Sequence, residues 1–264
     1  MRATVFLGGG RITGALAAGL RLAGDEREIV VYDRHPQKAR ALRRESRVEV
    51  ARDLKSAVER AEILIVAVRP GSVREVLAEV VRCGALPGLC VSLAAGIPLR
   101  NLGTWLGAPA RWVRAMPSPV CRIGRGLTGV CFDRLVGKAE RNAVRELFAQ
   151  VGQVEEVSEQ KFDAFTVTYS SSHGYHALTT LARAAQDAGL DRETALTSAA
   201  HALADGIQYW RESGVGLEEL LEEAATPGGI AAAAMAGMNR AGYVRAVKSG
   251  ISAGLAQARK NARR

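Results

Sequence analysis

Thr4-Val5-Phe6-Leu7-Gly8-Gly9-Gly10-Arg11-Ile12-Thr13 is the stretch on which the fold turns. Its opening apolar run does not alternate with polar residues, so it reads as a parallel strand buried on both faces. The three glycines form a tight turn, and Ile12 to Leu22, rich in Ala and Leu, reads as a helix. A glycine turn between a strand and a helix has a physical use. The first glycine permits the bend and the second lets a pyrophosphate approach the backbone. The helix end then offers unpaired N–H groups and the positive end of its dipole. The third small position is Thr13 rather than Gly or Ala, still small enough for helix and strand to pack.

The next strand, Glu28-Ile29-Val30-Val31-Tyr32-Asp33, ends on a carboxylate. An acid at that place can accept hydrogen bonds from ribose hydroxyls, which favours NAD. Arg34 and Lys38 follow closely and suit a 2′-phosphate, which favours NADP. Both cofactors, NADPH or NADH, stay open. The candidate cofactor residues of this half are Gly8, Gly9, Gly10, Arg11, Ile12, Asp33 and Arg34.

Outward from the turn the pattern repeats. A helix is expected from Pro36 through Glu45, a short strand at Val48–Val50, and a helix from Leu54 to Ala61 capped by Asp53. Ile63 to Val68 is a buried strand, Val73 to Arg82 a helix, and Leu89 to Leu93 a strand. Trp112–Met116 and Thr128–Phe132 add two strands. Lys138 to Val151 is a helix, and Val154–Val157 closes the sheet. Such alternation predicts an α/β chain with a doubly wound, Rossmann-type parallel sheet.

From Phe162 onward strand-like runs disappear. Thr179–Ala188, Arg192–Ser213, Leu217–Ala225, Ile230–Met238 and Tyr243–Asn261 read as helices, with Gly189 and Gly214 ending the first two. The expected division is a dinucleotide-binding domain over 1–160 and an all-helical C-terminal domain over 161–264. Helices so rich in small apolar residues point to extensive helix packing, including packing between subunits.

The 264 residues hold 48% hydrophobic and 24% charged residues, an ordinary globular balance. No uncharged apolar run reaches about 18 residues, which argues against a membrane span. The N-terminus lacks a secretory pattern, so a cytoplasmic location is expected. Cys83, Cys90, Cys121 and Cys131 have neither CxxC spacing nor neighbouring histidines, so no metal site and no disulfide framework is expected. The formal charge of +9 is concentrated late: no acidic residue follows Glu223. Without an accompanying motif this reads as a solvated helix end suited to its dipole rather than a nucleic-acid surface.

Several further segments, in order, resemble pyrroline-5-carboxylate reductases. Ala67-Val68-Arg69-Pro70-Gly71 is similar to that family's AVKP segment and Val91-Ser92-Leu93-Ala94-Ala95-Gly96-Ile97 to its VSIAAGV. Arg114-Ala115-Met116-Pro117-Ser118 is similar to RxMPN, with Ser118 for Asn. Phe162-Asp163-Ala164 and the serines after it fall at FDAxTAxSGSGPAY, and Thr226-Pro227-Gly228-Gly229 at SPGGTT. The resemblance implies hydride transfer from NAD(P)H to a cyclic imine, giving proline. It implies no metal, and a homodimer or higher homo-oligomer through the helical half. It adds Ala67, Val68, Arg69, Pro70 and Ser118 to the cofactor site. It places Ser171, Tyr175, Thr226, Gly228 and Gly229 around a small-molecule substrate.

The departures gather on the substrate side. Ile230 and Ala231 stand at the family's two threonines, and Thr226 at its serine. Losing hydroxyl donors to a buried carboxylate costs on the order of 1–3 kcal/mol each, enough to change substrate preference. His173 stands at the family's proline. A histidine titrates near neutrality, which suits a proton donor. His173, Ser171 and Thr226 are the candidate catalytic residues. Two other functions stay open: a diverged imine or carbonyl reductase of the same architecture, and a nucleotide-binding regulatory protein without catalysis.

Overall fold

The computed structural model describes residues 3–84 and 86–263. By internal contacts the chain forms two compact units. The first runs to Tyr169 and takes in the chain from Gly254 onward; the second is Ser170–Ala253.

In the first unit β1 (Ala3–Leu7), β2 (Ile29–Tyr32), β3 (Glu49–Val50), β4 (Ala61–Val66), β5 (Leu89–Ser92), β6 (Arg111–Pro117), β7 (Gly126–Phe132) and β8 (Gly152–Glu156) form one sheet, ordered β3-β2-β1-β4-β5-β6-β7-β8. The apolar runs are explained by burial on both faces. Val5 and Leu7 of β1 join Leu64 and Val66 of β4 in one core. Phe6 joins Ile63 and Ile65 in the other. Helices α1 (Arg11–Leu22), α2 (Pro36–Ser46) and α6 (Lys138–Ala149) send Leu16, Leu42 and Phe148 into the second core. Helices α3 (Leu54–Glu59), α4 (Val73–Arg82), α5 (Leu99–Trp105) and α7 (Glu159–Thr168) send Leu54, Leu77, Leu102 and Phe162 into the first. Asp53 caps α3, accepting from the Ser56 N–H at 2.8 Å.

The expected doubly wound parallel sheet is present, with one pairing that departs from it. β7 runs antiparallel to β6, and β8 is parallel to β7. The link between β6 and β7 is a short 3-10 segment, Pro119–Ile123. A parallel return needs a crossover of about a dozen residues or more, so the chain can only turn back. Helix α5 was not expected either. It has seven residues with Gly103 inside, too few for a helical period to show.

Helix α7 is welded to the sheet by a buried cation. Arg114 on β6 is 2% exposed, and its Nη2 lies 2.5 Å from Asp163 while Nη1 lies 3.2 Å from Glu159. Its guanidinium stacks 4.5 Å over the Phe162 ring. Glu159 also accepts from the Leu99 N–H at the head of α5 and from the Cys131 thiol on β7. Four elements, α5, α7, β6 and β7, are thereby tied together.

The second unit consists of α8 (Ser172–Asp187), α9 (Arg192–Ser213), α10 (Leu217–Ala224) and α11 (Ile230–Arg240), together with the start of α12 (Tyr243–Ala262). α8 starts seven residues before the expected Thr179. The serines and glycine there look like loop, yet the Tyr175 N–H donates to the Ser171 carbonyl and opens the helix. Gly214 ends α9 in the left-handed conformation, as expected of that glycine.

Candidate active site

The strand order reverses between β1 and β4. In open α/β sheets ligands bind at such a switch point, beyond the carboxyl ends of the strands. Gly8 leaves β1 there with φ +113°, and a Cβ at that position would stand 2.7 Å from the Ala67 carbonyl oxygen. Only glycine lets the chain pass so near β4's exit. The Gly8 N–H donates to the Tyr32 carbonyl at 2.7 Å, and the Ala67 N–H to the Leu7 carbonyl at 2.8 Å.

Gly10 is the N-cap of α1 and provides no side-chain acceptor, so nothing of its own covers the helix end. A Cβ on Gly10 would meet nothing within 4 Å. That open space, faced by the N–H groups of the first turn, fits a pyrophosphate. Arg11 is exposed and Ile12 half-buried beside it. The departure at Thr13 has a structural answer. The side chain is fully buried, and its hydroxyl donates to the Gly8 carbonyl at 2.6 Å, tying the helix to the turn.

Asp33 has a different first task from the one its position predicts. Its Oδ2 accepts from the Gly9 N–H at 2.8 Å and its Oδ1 from the His35 N–H at 2.7 Å. The carboxylate therefore pins the glycine turn to the end of β2, and each oxygen keeps one lone-pair site for a ribose hydroxyl. Arg34 and Lys38 are exposed just beyond, with Arg34 in a loose pair 3.4 Å from Glu75. Val68 lies against Gly8, and Arg69, exposed, leads into a 3-10 turn at Pro70–Ser72. Ser118 lies farther along the sheet, at the end of β6. It is 5% exposed, and its Oγ accepts from the Val120 N–H at 3.1 Å. The glycine turn thus has Ala67 and Val68 against Gly8 and Asp33 bonded to Gly9, whereas Ser118 lies two strands beyond β4.

The expected substrate residues belong to the second unit and form two helix entries. At α8, Ser171 is the N-cap, His173 lies in the first turn, and Tyr175 is 64% exposed. The Ser170 and Ser172 hydroxyls lie 2.7 Å apart beside them. At α11, Thr226 to Gly229 is a type II turn, with Pro227 second and Gly228 third at φ +78°. The Gly229 N–H closes it onto the Thr226 carbonyl at 2.9 Å. That N–H is therefore committed, and the donors left for an anion are those of the first turn of α11. Ile230 opens that turn with 91% of its surface in water. Of the other three histidines, His176 is exposed on α8 one turn beyond His173, whereas two stand apart: His201 is exposed with Nδ1 2.8 Å from Asp205, and His35 is exposed at the head of α2.

The cysteines are free thiols. Burial pushes Cys121 up to about 11 and Cys131 up to about 12, so at neutral pH they are not nucleophiles. Among the described residues no group of three or more His, Cys, Asp or Glu is placed to hold a metal ion, and no helix is long and apolar enough to cross a membrane.

The family model for NADP oxidoreductase, coenzyme F420-dependent, matches residues 4–96, and that for pyrroline-5-carboxylate reductase dimerisation matches 159–261. The pyrroline-5-carboxylate reductase of Mycobacterium tuberculosis is 32% identical over 281 residues, covering 96% of this chain and 94% of its own. The chain belongs to the pyrroline-5-carboxylate reductase family. The Corynebacterium melassecola reductase is 29% identical and covers 92% of both chains. Among solved structures, the Plasmodium falciparum pyrroline carboxylate reductase with NADP bound superimposes with a TM-score of 0.88 at 19% identity, covering 99% of this chain and 98% of the other. The Streptococcus pyogenes 1-pyrroline-5-carboxylate reductase gives 0.88 at 22%, covering 98% of each. These two establish the common fold. The dimerisation match lies on the helical half, so the family's assembly region is present.

Two features of the site were not found by sequence reasoning: the pin between Asp33 and Gly9, and the Arg114 network. The second had a signal, an arginine in an otherwise apolar strand followed later by Glu159 and Asp163.

Proposed function

We propose that this protein is an NAD(P)H-dependent reductase of a cyclic imine, converting 1-pyrroline-5-carboxylate to L-proline. The observation that carries this reading is the open, uncapped helix end at Gly10, at the switch point of a chain that belongs to this family. NAD(P)H supplies the hydride to the imine carbon. The chain's residues bind and orient. The first turn of α1 holds the pyrophosphate, and Asp33 keeps that turn in shape and faces the ribose. Arg34 and Lys38 offer positive charge toward a 2′-phosphate, while Ala67 to Pro70 and Ser118 border the rest of the cofactor.

The substrate carboxylate goes to the first turn of α11, with the Thr226 hydroxyl, Gly228 and Gly229 shaping its seat. Ser171 and Tyr175 contact the ring. His173 delivers the proton that the imine nitrogen needs as hydride arrives. Two chains pair through their helical halves to form a homodimer or a larger homo-oligomer, and the protein works in the cytoplasm.

The test is loss of NAD(P)H absorbance with pyrroline-5-carboxylate, run beside other cyclic imines and keto acids. Turnover with that imine is expected. Binding of NADPH without any turnover would leave a regulatory nucleotide binder. Ile230 and Ala231 favour a second reading in which another imine or a carbonyl is preferred, because both threonine hydroxyls are gone. Turnover of a different substrate alone would establish it. For the acid, His173→Ala is expected to lose activity, and undiminished turnover from mildly acidic to mildly basic pH would remove His173 from the mechanism.

A further inference from the structure

The end of α12 belongs to the first unit, and there it grips one particular loop. The loop is Leu93 to Ile97, which leaves β5 at the carboxyl edge of the sheet. Its Leu93 N–H donates to the Val66 carbonyl at the end of β4. Asn261 donates from Nδ2 to the Ala95 carbonyl at 3.2 Å. Asn101 on α5 donates from Nδ2 to the Ala262 carbonyl at 2.7 Å, holding the helix end in place. Between these bonds Gly96 sits at φ +77°, and a Cβ there would stand 2.7 Å from the Ala258 carbonyl oxygen. The helix backbone thus rests directly on the glycine, and Ala258 is 8% exposed beneath it.

The place of this loop gives the grip its meaning. A dinucleotide straddles the switch point between β1 and β4. Asp33, after β2, marks the adenosine side. The other half of the molecule must extend the opposite way, over the loops after β4 and β5. The first of these is Ala67 to Pro70; the second is the loop that α12 grips.

We propose that Asn261 is a positioning residue for the nicotinamide end of the cofactor, acting by fixing the Ala95 carbonyl and so the loop after β5. The inference rests on the dinucleotide reading above. An unheld loop would border the reacting ring in several conformations, and misplacement of about 1 Å at a reacting centre can cost as much as ~100-fold in rate. Loss of a single neutral hydrogen bond sets a lower limit of roughly threefold to tenfold.

The test uses the full-length protein and two variants. Asn261→Asp keeps the shape and removes the donor; Asn101→Ala releases the helix end instead. Each is titrated with NADPH and with 2′,5′-ADP, a fragment that reaches only the adenosine side, and each is assayed for kcat and KM. Asn261→Asp is expected to weaken NADPH and lower kcat by roughly threefold or more, with 2′,5′-ADP affinity unchanged and the melting temperature lowered by no more than about 2–4 °C. Asn101→Ala is expected to move the same quantities less. Equal weakening of NADPH and 2′,5′-ADP, or a larger fall in melting temperature that tracks the loss, would make Asn261 merely structural and overturn the proposal. So would a variant indistinguishable from wild type. Wild-type protein that binds neither probe and does not bind NADH would instead sink the dinucleotide reading, and this inference with it.

Discussion

In the first unit the glycine turn is held by groups of the same unit: Asp33 on the Gly9 N–H, Thr13 on the Gly8 carbonyl, and Tyr32 on the Gly8 N–H. In the second unit the two helix entries at Ser171 and Thr226 project polar groups from a body that buries little. Among its described residues only Ala182, Ala195 and Ala199 are buried. Ile207, Tyr209 and Trp210 on α9 remain 51%, 58% and 43% exposed. Apolar surface on this scale marks an interface. The cofactor turn is therefore complete within one chain, whereas the helical unit presents a face whose cover must come from elsewhere.

The largest expected effect tests the open face. Trp210→Asp would place a charge on the exposed apolar face of α9, within the stretch that the dimerisation model matches. Loss of such an aromatic anchor typically costs about 2–4 kcal/mol, or roughly 30- to 1,000-fold in the dimer constant. Analytical ultracentrifugation should show dissociation, while NADPH affinity changes far less. A variant that stays dimeric at low concentration would break the comparison.

Comparable in size is the buried cation of the first unit. Arg114→Met keeps the contact with Phe162 but leaves Glu159 and Asp163 without their partner. Breaking a buried pair costs about 3–5 kcal/mol. The lower end applies here, because each carboxylate keeps about a third of its side chain in water. Urea unfolding should show the loss. Below it comes Gly8→Ala, where strain of about 1–3 kcal/mol is expected together with loss of NADPH binding. Gly10→Ala sharpens that test. Gly10 has an ordinary φ of −82° and open space before it, so stability should hold while NADPH binding falls.

The sequence carried the cofactor half well because its signals are local. A strand, its glycine turn and the following helix lie within one stretch of chain, and two-face burial writes itself as uninterrupted apolar runs. The antiparallel β7 was missed there, although the segment 118–125 is too short for a crossover and so carried the signal. What escaped were contacts between distant residues: Asp33 turning inward to Gly9, Arg114 reaching Glu159 and Asp163, and Asn261 returning to Ala95. Polarity hid the start of α8, because Ser, His and Gly at a helix entry look the same as a loop. The substrate side was legible only through resemblance, since a helix entry such as Thr226 to Gly229 has no chemistry of its own until something faces it.

The smallest effect separates the two units by acid. In the first, Glu140 is held below the ordinary carboxyl value of 4.5, chiefly by hydrogen bonds from Arg111. A lowered folded-state value means stability that is fully present above about 4.5 and lost as pH falls through the folded value. The pair is partly exposed, so Glu140→Gln should cost no more than about 1 kcal/mol at neutral pH. The gap to wild type should close as pH is lowered. In the second unit Asp191 caps α9 and is lowered by its bonds from Thr194. Asparagine caps a helix about as well as aspartate, so Asp191→Asn should leave neutral-pH stability unchanged and remove only the acid dependence. The carboxylate of the first unit thus matters for its charge partner, and that of the second for its lone pairs. A gap for Glu140→Gln that stays constant down to acid pH would show that the Arg111 pair contributes by packing rather than by charge.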